Sequence, residues 1–241
     1  MKGLYFVLAL LLIGPAGKSS GACIARDAPT QVQKSPPVEK ITDHLFRIGK
    51  LIVDTHERTV SCKASVNMDH GAIEYLAVAP GGKLHERLLK VDIIPLHLQL
   101  ALLMLNLEPA NNLKYQGDQT TPRGAQVLIE LQWRDHNGNV HRVRAEDLIL
   151  DTVSNSPMAL HSWSFTGSRI LKEVGFEADF ERSLVAVWHD PAAIIDNPLP
   201  GGADNRYAVW HACPPVGTQL DIIMSPSGDH NSVDSDKSKV K

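Results

Sequence analysis

Three side chains able to do chemistry crowd into "GGKLHERLL" (81–89), where Lys83, His85 and Glu86 follow Gly81-Gly82. A cation, an imidazole and a carboxylate this close could run acid–base chemistry, with Glu86 orienting His85 and Lys83 stabilising a developing anion. A metal reading fares worse. The His-Glu-x-x-His motif sets two histidines on one helix face so that both reach zinc. Position 89 is Leu89, so the second ligand is missing. His97 lies twelve positions on, and Glu74 lies upstream in the strand-like "AIEYLAVAP". Glu74 could join a scattered site, but with 11 histidines in the chain no spacing selects a metal. The chain has no Gly-x-Ser-x-Gly elbow, and Gly81-Gly82-Lys83 lacks the spacing of a phosphate loop. The structural alternative is a polar turn whose charges face water.

Three cysteines, Cys23, Cys62 and Cys213, contain no Cys-x-x-Cys pair, so zinc-ribbon and iron–sulfur sites lack ligands. Cys62 with Cys213 is the natural disulfide pair in an oxidising compartment. Two buried free thiols are the alternative.

These residues must be held by something, and the central chain alternates at period two. In "RTVSCKASV" (58–66), Val60, Cys62, Ala64 and Val66 share one face. "QVLIELQW" (126–133) repeats the pattern with Trp133 inward. Asn137-Gly138 then signals a hairpin returning through "VHRVRA" (140–145). "HSWSFTG" (161–167), with Trp163 inward, "RSLVAVW" (182–188) and "TQLDIIM" (218–224) add strands, and "LFRIGKLIVD" (45–54) one or two more. "PLHLQLALLMLNL" (95–107) is apolar on nearly every side and opens with proline, which predicts a buried helix. A short helix is predicted at "PAAIID" (191–196). The expected fold is α+β and β-rich, with antiparallel sheet and one central buried helix at about 95–107.

The chain opens Met1-Lys2, runs apolar from Leu4 to Ile13 and continues with Gly14-Pro15. This pattern predicts a signal peptide over 1–22 and export, to the periplasm or as a secreted protein. The run is shorter than the roughly 20 residues that span a bilayer. "SGAC" (20–23) offers Cys23 for lipidation, which would anchor the protein without spanning; Ser20 stands where such boxes usually carry Leu. Loss of 1–22 removes Lys2 and Lys18 and moves the formal charge from −3 to −5. With no basic stripe, nucleic acid is an unsuitable partner. Residues 23–40 and 226–241 are polar and rich in Pro, Ser or charge, and read as a disordered tether and tail around a globular domain at 41–225.

"AIEYLAVAPGGKLHERLLKVDIIPLHLQLALLMLNLEP" (72–109) resembles the central signature of the YdjY-type domain family, an uncharacterised bacterial group. "WSFTGS" (163–168), "FEADFERSLVAVWHDPAAIID" (176–196) and "PPVGTQLDIIMSP" (214–226) resemble later family segments. The resemblance implies that Lys83, His85 and Glu86 are hallmarks. Arg87 stands where relatives often carry a small residue, and Asn106 where glycine commonly ends the helix. The family supplies no reaction. Its ferredoxin-like description does not carry over, because cluster ligands are absent. The expectation is a binding or accessory module that uses the Lys83-His85-Glu86 turn for a small molecule or protein partner. The alternatives are an exported hydrolase-type or metal-assisted enzyme using His85 and Glu86, and a purely structural turn. The sequence leaves the cofactor, if any, open.

Overall fold

Period-two alternation becomes strand along most of the chain. The computed structural model describes residues 38–82, 85–200 and 206–228. An antiparallel meander of β1 (Val38–Lys40), β2 (Leu45–Ile48), β3 (Leu51–Asp54) and β4 (Thr59–Val66) opens it. Next come β5 (Tyr75–Val78), β6 (Arg87–Lys90), helix α1 (Pro95–Met104), β7 (Pro109–Ala110), β8 (Arg123–Arg134) and β9 (Val140–Arg144). A single 3-10 turn at Ala145–Leu148 leads to β10 (Ile149–Asp151), β11 (Ser156–Pro157), β12 (Trp163–Phe165), β13 (Ile170–Leu171) and β14 (Gly175–Phe176). The chain ends through α2 (Glu177–Glu181), β15 (Ser183–Ala186), β16 (Ile195–Asp196), β17 (Tyr207–Val209) and β18 (Gln219–Pro226).

The main sheet runs β4-β18-β8-β12-β16-β15-β5-β6, and β6 pairs back to β4. Eight strands therefore close into a barrel. Closure removes sheet edges, and eight strands leave an interior that side chains can fill. This overturns the expected α+β fold with a central helix, since the structure is 41% strand and 10% helix. The sheet is also not wholly antiparallel, because β5–β6 and β15–β16 are parallel pairs.

Helix α1 exists, and it packs against β3, β15 and α2. Leu98, Ala101 and Leu102 are buried while Leu103 is exposed. Its all-round hydrophobicity misled because leucine also tolerates the surface. No side chain caps its start within the helix; the Leu96 N–H is instead accepted by Asp179 of α2 at 2.8 Å. The predicted helix at 191–196 is a turn running into β16. Asp190 accepts the Ala192 N–H through its side chain and the Ala193 N–H through its carbonyl, and Ile195 pairs with Val185. Local side-chain bonding and sheet pairing outcompete a helical turn here.

The Asn137-Gly138 hairpin forms between β8 and β9, with the Asp135 carboxylate accepting the N–H groups of Asn137 and Asn139. Trp163 is fully buried, whereas Trp133 is half-buried and stacks on His141 with ring centroids 5.1 Å apart. The expected Cys62–Cys213 disulfide is not formed, and both are free thiols. Cys62 lies on the buried face of β4, and Cys213 sits in the turn after β17. Burial pushes each thiol up to about 12. Strand β1 occupies the end of the stretch read as a tether. The signal segment, Cys23, most of the tether and most of the tail lie outside the described residues.

Candidate functional site

The turn that drew attention in the sequence is built from backbone rules. Gly82 N–H bonds to the Ala79 carbonyl at 3.2 Å, with Pro80 and Gly81 between them and Gly81 at φ +86°. Proline first and a positive-φ glycine second is the type II pattern. A Cβ on Gly82 would sit 2.3 Å from Val78 Cγ1 and 2.8 Å from Arg182 Cβ, so this residue must also be glycine. The tightness has a cause in the topology. Strands β5 and β6 are parallel, and residues 79–86 must return the chain to the start of the next strand. A parallel connection ordinarily takes a dozen residues or more. Here the strands are only four residues long, roughly 13 Å, and an eight-residue loop reaches roughly twice that.

The structure divides the sequence-predicted site residues. Lys83 lies outside the described residues. His85 and Glu86 are exposed, and the Glu86 carbonyl accepts the N–H groups of Glu74 and Tyr75 at 2.9 and 3.0 Å. Glu74 is drawn elsewhere. Its carboxylate accepts from Gln116 Nε2 at 3.3 Å, and the same amide reaches the Tyr75 hydroxyl at 3.1 Å. Tyr75 Oη and Ser183 Oγ donate to Asp190 Oδ2 at 2.7 and 3.1 Å, and the Asp190 N–H donates to Asp196 Oδ2 at 2.8 Å. This hub is buried. Tyr75 is pushed up by burial and by the Asp190 charge, and Asp196 is pushed well above its ordinary value by burial. Both shifts favour the protonated form, and the two groups tie β5, β15 and β16 together.

What the turn does build is a cleft. Strand β4 pairs with β3 through Ser61 and with β6 from Ser65 onward, so its edge changes partner across Cys62–Ala64. A cleft of about 410 Å³ opens there, walled by Lys63, Ser65, Pro80, Gly81, Arg87 and Lys90. A second cleft of about 490 Å³ lies across Pro80 and is lined by Lys50, Asp92, His97 and Arg182. Pro80 and Asp92 belong to both. Lys50 pairs with Asp92, and Lys63 pairs with Asp221 at 2.7 Å. His97 is lowered by burial, so its ring is neutral at neutral pH.

Arg87 is the unusual member. It is 2% exposed, its Nη1 contacts the Ala79 carbonyl at 3.4 Å, and its Nε has no hydrogen-bond partner among the described residues. No carboxylate among the described residues forms an ion pair with it. Burial draws its pKa down. A buried cation without a counter-ion is costly, which marks the cleft as a place where charge awaits compensation. Sequence reasoning met Arg87 only as a departure from relatives. The missed signal was a cation directly before Leu88-Leu89 at the start of a short strand. Among the described residues no group of three or more His, Cys, Asp or Glu is placed to hold a metal ion, and no helix is long and apolar enough to cross a membrane.

A closed β-barrel with a cationic cleft where one strand changes partners defines the class of domain. The family model for the YdjY domain matches residues 51–225, and the chain belongs to that family. Neither a curated protein nor a solved structure matches it.

Proposed function

We propose that this chain is an exported, non-catalytic binding domain that holds a small molecule in the cleft beside the 80–87 turn. The observation that carries this reading is the 410 Å³ cleft with buried Arg87 in its wall. Its volume falls within the roughly 300–1,000 Å³ of ordinary ligand pockets. The turn contributes through Pro80, Gly81 and Arg87 at its two ends, while His85 and Glu86 between those ends are exposed. Export rests on the Leu4–Ile13 run and the small residues before Cys23.

A fragment library screened by amide NMR on the purified domain tests the binding reading. Hits should move the Gly81, Lys90 and Gln219 amides together. Hits that all map elsewhere would end it. The mass of the protein from its native host tests export; a mature chain that retains Met1 rules it out, and an added lipid mass on Cys23 identifies the anchor.

A further inference from the structure

Arg87 says more than that a ligand binds; it says what kind. The guanidinium is buried, is held by one long contact to a carbonyl and lacks a paired carboxylate among the described residues. The neighbouring cations differ from it. Lys63 is engaged by Asp221, and Lys50 by Asp92. Lys90 stands at the exposed rim. The rest of the wall includes Ala64, Val78, Pro80 and Val91, which are apolar, and one carboxylate, Asp92.

We infer that the cleft takes a small organic carboxylate, its head on the Arg87 guanidinium and its apolar body against Val78, Pro80 and Val91. This inference rests on the binding reading above. A carboxylate matches a guanidinium in plane and spacing and makes charge-assisted bonds stronger than neutral ones. With Lys63 engaged by Asp221 and Lys50 by Asp92, the buried charge left without a carboxylate partner among the described residues is the single one of Arg87. A carboxylate's one negative charge matches it better than a phosphate dianion's two. The apolar wall calls for a hydrocarbon body rather than a bare inorganic ion. The buried charge of Arg87 then finds in the ligand the counter-ion that the described residues do not supply.

The experiment compares four probes on the full purified chain: hexanoate, hexanamide, hexyl phosphate and inorganic phosphate. Binding is followed by amide NMR and by the Arg87 Nε–Hε resonance, which burial protects from exchange. Hexanoate should move that resonance and the Gly81, Lys90 and Val91 amides, and bind at least about 10-fold tighter than hexanamide. R87Q should weaken hexanoate by about 10- to 100-fold and leave hexanamide unchanged. Should R87Q fail to fold, K90Q at the exposed rim and the hexanoate–hexanamide ratio on the parent chain still decide. K90Q should weaken hexanoate by about 2- to 5-fold, the size of an exposed ion pair. Hexanamide binding as tightly as hexanoate overturns the carboxylate assignment and leaves the cleft a binding site. Hexyl or inorganic phosphate binding in preference to hexanoate overturns it in favour of a phosphate. Failure of every probe to move the cleft amides overturns the inference, and the binding reading then stands or falls on the fragment screen.

Discussion

Trp163 and Trp133 show how much one residue's surroundings decide. Both sit on alternating strands with their apolar neighbours, yet only Trp163 is fully enclosed. Its indole N–H donates to the buried Glu146 Oε1 at 3.1 Å, and Arg144 bonds the same oxygen at 2.7 Å. Trp163→Ala should cost about 3–5 kcal/mol in urea melts, from lost apolar burial and the cavity left behind, with Glu146 losing a donor besides. Trp133→Ala removes a half-buried ring and its stack on His141, and should cost about 1–3 kcal/mol. Equal losses at the two positions would contradict this description of the barrel end. His85 and Glu86 are exposed, so His85→Ala and Glu86→Ala should each leave stability within about 0.5 kcal/mol of the parent. A loss above about 1 kcal/mol in either would mean that its side chain, and not only its backbone, locks the turn.

Helix α1 shows the same logic at the level of an element. Its C-terminus closes with Asn106 N–H on the Leu103 carbonyl and Leu107 N–H on the Leu102 carbonyl, with Asn106 at φ +59°. This is the Schellman pattern, and the buried pair Leu102 and Leu107 supplies its hydrophobic contact. Asparagine tolerates the left-handed conformation better than most residues but less well than glycine. Asn106→Gly should therefore raise stability by up to about 1 kcal/mol, and Asn106→Ala should lower it by about 1 kcal/mol. Thermal melts of the pair read the difference. A destabilised glycine variant would show that the asparagine side chain holds the helix end.

At the scale of the whole molecule, the fold buries two acids, Asp196 of β16 and Glu146 of the 3-10 turn. Asp196 is fully buried with its Oδ1 unpartnered, and burial raises its pKa well above 3.8. Glu146 is also raised by burial. The raised pKa means that the folded chain holds the Asp196 proton more tightly than the unfolded chain, which loses it above its ordinary pKa near 3.8. Its contribution is thus fully present below that value and is lost as pH rises towards the folded pKa. Asp196→Asn keeps the acceptor for the Asp190 N–H and has no proton to lose. Denaturant melts at stepped pH should show the variant gaining on the parent steadily as pH rises above 3.8. A constant difference across that range would mean the carboxyl is ionised in the folded protein.

Much of this molecule is legible in its sequence because strand faces and turns obey short-range rules. The alternation of Val60, Cys62, Ala64 and Val66, the Asn137-Gly138 hairpin, the Pro80-Gly81 turn and the asparagine ending α1 each depend on residues a few positions apart. The family signature around 72–109 is legible for the same reason. Barrel closure is not, because the pairing of β4 with β6 joins Ser65 to Lys90 across a segment whose local pattern is silent about partners. Tertiary contacts also set helix α1 against β3, β15 and α2, and leave Cys62 and Cys213 as free thiols. Tertiary contacts likewise divide the candidate residues, with Glu74 bonded to Gln116 beside the Tyr75–Asp190 hub and His85 and Glu86 exposed. The charge and hydrogen-bonding capacity of Arg87 are properties of its type; its burial without a paired carboxylate among the described residues is a property of the closed barrel. Periodicity assigns a residue to a face, but burial and partnership depend on contacts between distant segments, and those only the tertiary structure decides.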